Sequence, residues 1–339
     1  MIIWDNHPKI EFKLSEFYDK FGNNYQAIAD ELSKAFPEYK FTYNSVRNRI
    51  RRPSSIIEYI PNKRGKGIFE GLDDNYLFND YSEAKEDIID NIDFFKQKYG
   101  DKTVNILVIS DLHIPKEDLN VLEKILLNNQ DCNVLVIAGD LLDYDNLSSF
   151  GQKRNINVTD EYKRAFSILK RIVPMFEDVF IFNGNHENRF INYITHKTVT
   201  SISGYLTDKH KPLSQIVSYF DNVHYISHWF LQLGDVIFSH PSRYSKIEGR
   251  TVRNVVDNRI EKSHEKKFDL FNAVVCGHTH RTFKGEFKGK IAIENGCIEQ
   301  KGVEFSNKDA KGKEWHHGYT KITMRNGNTS WNDINVYRV

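Results

Sequence analysis

Cysteine is scarce in this 339-residue sequence: there are three, Cys132, Cys276 and Cys297, and no CxxC spacing. An odd, unpatterned set argues against a disulfide framework and against a thiolate zinc site, and it fits a reducing compartment. Long apolar runs are also missing. The most apolar stretches, VNILVIS (104–110) and NVLVIAG (133–139), are seven residues each, strand length rather than the roughly 20 residues of a membrane span. The opening MIIWDNHPKIEFKLSEF scatters acids among its apolar residues, whereas a signal peptide has a basic start and an unbroken apolar stretch. The expectation is a cytoplasmic protein without a membrane partner. Neither sign of charge dominates: 47 Lys+Arg against 46 Asp+Glu leaves a net +1, so total charge points to no polyanionic partner. With 40% hydrophobic and 27% charged residues the mix is that of an ordinary globular chain, long enough for one large domain or two modest ones. What stands out is histidine, with 13.

The charge is even in total but not in place. Residues 1–67 carry a balance of +4, residues 68–100 one of −6, and the remainder +3. The stretch PNKRGKG (61–67) has the Pro, Gly and basic residues of a linker. The division expected is a helical head over 1–60, a linker and acidic helix over 61–100, and a body over 101–339.

In the head, Tyr25, Ile28, Ala29, Leu32 and Phe36 recur at helical spacing, and Pro37 should stop that helix. A second helix is expected from an N-cap at Thr42 to Pro53, with Val46 and Ile50 inward and Arg47, Arg49, Arg51 and Arg52 outward. A helix, a short turn and an Arg-bearing helix resemble a helix-turn-helix module, which implies DNA contacts through those four arginines. A packed appendage with a solvated Arg face fits the same residues. The acidic stretch predicts one helix near Ser82–Tyr99, with Ile88, Ile89, Ile92 and Phe95 on one side and packing as its role.

The body carries the chemistry. Five apolar runs each end in a polar cluster: VNILVIS before Asp111-Leu112-His113, NVLVIAG before Asp140 with Asp143 beyond, VFIFNG before Asn185-His186-Glu187, DVIFS before His240, and AVVCG before His278-Thr279-His280. Continuous β-branched runs are strands buried on both faces, and ligands of open α/β sheets gather at the carboxyl ends of such strands. Asp111, His113, Asp140, Asn185, His240, His278 and His280 are seven nitrogen and oxygen donors, more than one ion and a water require. Two divalent metal ions are therefore expected, with Asp140 able to bridge them through its two oxygens. Imidazole with carboxylate suits Mn, Fe or Zn, and Mn2+ is the leading expectation, with Fe, Zn or Ni as further choices.

The blocks D-x-H (111–113), G-D-x-x-D (139–143), G-N-H-E (184–187), His240 after a strand and G-H-T-H (277–280) resemble the calcineurin-like metallophosphoesterases. The resemblance implies an α/β (α+β) fold of two facing β-sheets flanked by helices, here with a small N-terminal helical domain. It implies that Asp111, His113 and His280 hold one metal, that Asn185, His240 and His278 hold the other, and that Asp140 bridges. It gives His186 a catalytic role beside the metals, protonating the leaving oxygen or bracing the phosphate. Asp143 and Glu187 would orient histidines or arginines around them. The Arg-Gly of Ser/Thr protein phosphatases is absent from GDLLDYDN. Across 104–337 the pattern looks more like the phosphoesterases of bacteriophages and mobile elements.

Substrate is read from the head and from basic residues that follow the ligand blocks. Arg189, Arg243 and Arg281 are candidates for phosphate contacts, and Lys153, Arg154, Lys163 and Arg164 lie in the same group of loops. The leading expectation is a phosphodiesterase or nuclease acting on nucleic acid by metal-activated water. The alternatives are a phosphomonoesterase or nucleotide phosphatase acting on a small molecule or phosphoprotein, and a DNA-binding protein with little catalysis.

Overall fold

A computed structural model describes residues 8–22, 24–37, 39, 41–43, 45–46, 68–69, 91–147, 157–197, 213–264, 270–300 and 315–339. The chain divides into two units, Met1–Glu70 and Gly71–Val339.

In the first unit, α1 (Pro8–Phe21) and α2 (Tyr25–Ala35) pack through Ile10, Leu14, Ile28, Ala29 and Leu32. The Asn24 side chain caps α2 by accepting from Ala27 N at 3.3 Å. The helix stops at Phe36, which precedes Pro37 and has left helical backbone (φ −136°, ψ 74°). This follows from the clash a proline imposes on the residue before it. Helix α1 was not expected from the sequence. Beyond it, Thr42 and Ser45 exchange side-chain-to-backbone hydrogen bonds of 3.2 and 2.8 Å, the start expected of the next helix, and Val46 is buried in the same core. Arg47, Arg49, Arg51 and Arg52 lie outside the described residues, as do Ile88 and Ile89.

The second unit begins, among the described residues, with α3 (Asn91–Tyr99), which buries Phe95 and Tyr99 in the main core. A six-stranded sheet follows the order β11-β10-β1-β2-β3-β4, formed by β1 (Thr103–Ile109), β2 (Val134–Ala138), β3 (Asp178–Phe182), β4 (Val223–Ile226), β10 (Gly318–Arg325) and β11 (Ile334–Arg338). Strands β1 to β4 run parallel, while β10 is antiparallel to β1, from Thr103↔Arg325 to Val108↔Thr320. A five-stranded sheet has the order β5-β6-β7-β9-β8, from β5 (Phe230–Leu233), β6 (Val236–Ser239), β7 (Ala273–Cys276), β8 (Thr282–Phe287) and β9 (Lys290–Asn295). In it β6, β7 and β9 run parallel.

Strand periodicity explains why both sheets are buried twice. Ile106, Val108, Val136 and Phe180 of the first sheet share one core cluster with Val236, Phe238, Val275 and Ile293 of the second. Their neighbours Ile237, Val274 and Ala292 point the other way, onto Val252 and Val256 of a helix over Arg250–His264. On the first sheet Leu107, Leu135 and Ile181 are likewise fully buried. The parallel crossovers through α4 (Leu119–Leu127) and α5 (Val158–Ile172) bring helices to that face. The result is two facing sheets with helices outside, as the sequence motifs implied. No helix among the described residues is long and apolar enough to cross a membrane. All three cysteines are buried and free.

Candidate metal centre

The five expected strands end at one rim: β1, β2 and β3 from the first sheet, β6 and β7 from the second. The loops there fold tightly. Asp111, His113, Asp140, His278 and His280 all have left-handed backbone, with φ between 49° and 76°. Such conformations in residues other than glycine carry strain and collect at functional sites. Two glycines give the room. A Cβ on Gly139 (φ +79°) would stand 2.5 Å from His240 Nδ1, and one on Gly184 would stand 2.1 Å from Asp140 Oδ1.

The side chains converge. Asp111 Oδ1 lies 3.2 Å from His280 Nε2, and His113 Nε2 is 3.1 Å from the same nitrogen. Asp140 Oδ2 lies 3.1 Å from His240 Nε2, which is also 3.1 Å from Asn185 Oδ1. Three sets of atoms are close enough to share an ion: Asp111, His113 and His280; Asp140, His240 and His278; and His113, Asp140 and His186. The first is the trio the resemblance assigns to one ion, and the second joins His240 and His278, assigned to the other, with Asp140 in place of Asn185. Asp140 belongs to two of the three sets. His186 joins the third by proximity, but both of its ring nitrogens have other partners. Its Nδ1 is 2.7 Å from Asp143 O, and its Nε2 is 2.9 Å from Arg189 Nη2.

The donors fit a divalent cation on the structure's own terms. His278 Nε2 is buried with no hydrogen-bond partner, and the Nε2 atoms of His113 and His280 face each other across Asp111. Imidazoles without another use for their bare nitrogens are what metal ligation requires. Backbone groups hold the rings from behind: His240 Nδ1 is 2.8 Å from Ala138 O, which leaves Nε2 for the centre. Burial would raise Asp111, yet His240 and His280 hold its carboxyl down at about 2. Burial pushes His278 down to about 3, with His240 acting in the same direction, so that ring is neutral.

Asp143 stands where an orienting carboxylate was expected, with Oδ1 3.4 Å from His113 Nδ1 and 3.3 Å from His186 Nδ1. Glu187 serves backbone instead of an arginine. It accepts from Asp140 N at 3.1 Å, Leu142 N at 3.0 Å and Gly184 N at 2.7 Å, tying the β2 and β3 loops together. Arg189 donates to Asp143 O at 2.9 Å. Arg281 donates to Lys246 O, and Arg243 is exposed at the rim. Arg164 is committed to Glu117 at 2.8 Å, and Lys153 and Arg154 lie outside the described residues. Sequence reasoning missed Lys116, whose Nζ is 2.5 Å from Asp143 Oδ2. Its only signal was its place three residues after His113.

The family described as calcineurin-like phosphoesterase matches residues 104–282. Among solved structures, Vacuolar Protein Sorting 29 from Cryptosporidium parvum is 14% identical with a TM-score of 0.35, over 70% of this chain and 97% of that one. A novel archaeal phosphodiesterase is 13% identical with a TM-score of 0.36, over 69% and 99%. A hypothetical protein from Pyrococcus horikoshii OT3 is 10% identical with a TM-score of 0.40, over 70% and 88%. No curated protein is similar enough to match. With the five motif blocks gathered at one rim and the family match spanning more than half of its length, the chain belongs to the calcineurin-like phosphoesterases, metal-dependent hydrolases of phosphoric esters.

Proposed function

We propose that this rim holds two divalent ions, Mn2+ foremost, and hydrolyses phosphodiester bonds of nucleic acid in the cytoplasm. Asp111, His113 and His280 would hold one ion, Asn185, His240 and His278 the other, and Asp140 would serve both. The observation that carries the reading is the convergence of carboxylate and imidazole donors in overlapping groups, with Asp140 in two of them and His278 Nε2 buried without a hydrogen-bond partner. Ions held there supply Lewis-acid polarisation of a phosphoryl oxygen and activation of the attacking water.

The protein's own groups handle orientation and the proton. His186 Nε2 lies 3.8 Å from Asp140 Oδ2, at the edge of the centre. Arg189 spans His186 Nε2 and Asp143 O. An entering phosphate offers Arg189 an anionic partner, which frees His186 Nε2, the acceptor of the Arg189 hydrogen bond, to take the proton given up by the attacking water and pass it to the leaving oxygen. Arg243 and Arg281 extend the positive rim, and the +4 balance of residues 1–67 adds a second basic segment on the same chain. In this proposal residues 1–60 are a helical, helix-turn-helix-like head that contacts nucleic acid, 61–100 a linker and acidic helix, and 101–339 the phosphoesterase domain.

The expected result is Mn2+-dependent cleavage of oligonucleotides and of bis-(p-nitrophenyl) phosphate, abolished by Asp140→Asn. Turnover of p-nitrophenyl phosphate alone, with polymers untouched, would replace this reading with a phosphomonoesterase. Gel shifts with the full chain and with residues 1–60 removed test the head, and unchanged binding would end its DNA-targeting role.

A further inference from the structure

His280 presents its two ring nitrogens to two carboxylates. Nε2 faces Asp111, and Nδ1 lies 3.5 Å from Glu299 Oε2. Glu299 is completely buried, and neither of its carboxylate oxygens has a hydrogen-bond partner, nor does His280 Nδ1. A buried acid left this way needs an explanation.

The backbone around Glu299 is fastened to the ligand loop. Ile298 N donates to Asp111 O at 3.1 Å, Gln300 N donates to Lys116 O at 2.8 Å, and Asp118 N donates to Ile298 O at 2.8 Å. The His317 ring, with Nε2 2.9 Å from Glu299 O, holds the residue's carbonyl from the other side. The carboxylate is therefore carried on the same frame as the metal ligands. A shift well under an ångström brings it into hydrogen-bond range of the imidazole.

We infer that Glu299 is a positioning residue for the metal centre: it takes the His280 Nδ1 hydrogen and so fixes the tautomer that leaves Nε2 bare for the ion. The inference rests on His280 being a metal ligand. A ligating histidine whose second nitrogen is held by a carboxylate is both oriented and made a stronger donor. Cys297 also faces the His280 ring, but its Sγ lies 3.7 Å from His316 O and bonds to that carbonyl.

Calorimetric titration of the full chain with MnCl2 separates the possibilities. Glu299→Ala is expected to weaken one of the two ions about 10–100-fold and leave the other unchanged. Glu299→Gln, which keeps volume and an acceptor, is expected to weaken the same ion by a smaller factor, and it preserves the test if the alanine variant fails to fold. In a His280→Ala background, Glu299→Gln should add nothing. Wild-type affinity in both Glu299 variants, with His280→Ala impaired, would overturn the inference and leave the metal reading intact. A full additional loss in the double variant would overturn it too, because Glu299 would then act by another route. Weakening by Cys297→Ala but not by Glu299→Gln would give the role to the sulfur. Wild-type affinity in His280→Ala would remove the ligand reading, and the inference with it.

Discussion

Single residues at this rim are under unusual constraint, because left-handed backbone and absent side chains set where the donors point. Gly184 is the clearest case. A Cβ there would collide with the Asp140 carboxylate, so Gly184→Ala must displace the group proposed to be shared by both ions. We expect about 1–3 kcal/mol lost in urea titration, as for other overpacked sites, together with a loss of bound metal on elemental analysis. His186 is constrained differently, by partners on both nitrogens. His186→Ala should retain its metal and lose roughly 10²–10⁴ in kcat, most with poor leaving groups. Loss of metal in that variant would make His186 a ligand. Glu161 offers a pH test. It is buried, accepts from Tyr144 N at 2.9 Å, and burial pushes its carboxyl from 4.5 up to about 8. Its folded value exceeds its unfolded one, so its contribution to stability is complete below pH 4.5 and falls as pH rises toward 8. Urea midpoints of Glu161→Gln should therefore fall less between pH 5 and pH 8 than those of the wild type.

These residues were not equally legible. That the seven candidate donors gather at one rim was readable because each follows a continuous apolar run, and strand ends put them in phase. Lys116 and Glu299 were not, because each acts through a neighbour brought close only by the fold. Glu187 was misjudged in its partner, since backbone N–H groups leave no trace in sequence.

At the scale of elements, the acidic stretch before the body contributes a working part of the core. Lys98 and Tyr99 of α3 both donate to the buried Asp178 carboxylate at the start of β3, and His224 Nε2 lies 2.8 Å from its other oxygen. Burial alone would raise Asp178, but these three partners hold it below its ordinary value. Phe95 sits in the same core as both sheets. Phe95→Ala should cost about 3–5 kcal/mol in a urea titration of the full chain. An effect under 1 kcal/mol would mean that α3 only rests on the surface. The packing role was legible from Phe95's helical phase. The helix α1 was not, although Ile10, Leu14, Phe17 and Phe21 have helical spacing, because Phe12 and Tyr18 blur the stripe. Nor could local pattern tell which strands share a sheet, since runs buried on both faces look alike in either.

For the whole molecule, the metal reading makes stability depend on ions. The rim gathers carboxylates and histidines from both sheets, so an ion bound there holds the sheets together at that edge. One ion at 100 times its Kd adds about 2.7 kcal/mol. Thermal melts should therefore rise with added Mn2+ and fall with EDTA, and Asp140→Asn should blunt the difference. A melt indifferent to both additions would count against a metal centre.

The register of the six-stranded sheet also bears on how the protein is made. Strand β1 lies between β2, its near neighbour in sequence, and β10, which pairs Val108 with Thr320. At roughly 5–20 residues per second, a ribosome needs on the order of 10–40 seconds to carry a nascent chain from one to the other. Throughout that interval one edge of a strongly apolar strand waits unpaired, an invitation to association with other unfinished chains. Strand β10 covers that edge only once it has emerged, so the half-built sheet is where a chaperone is expected to bind during synthesis.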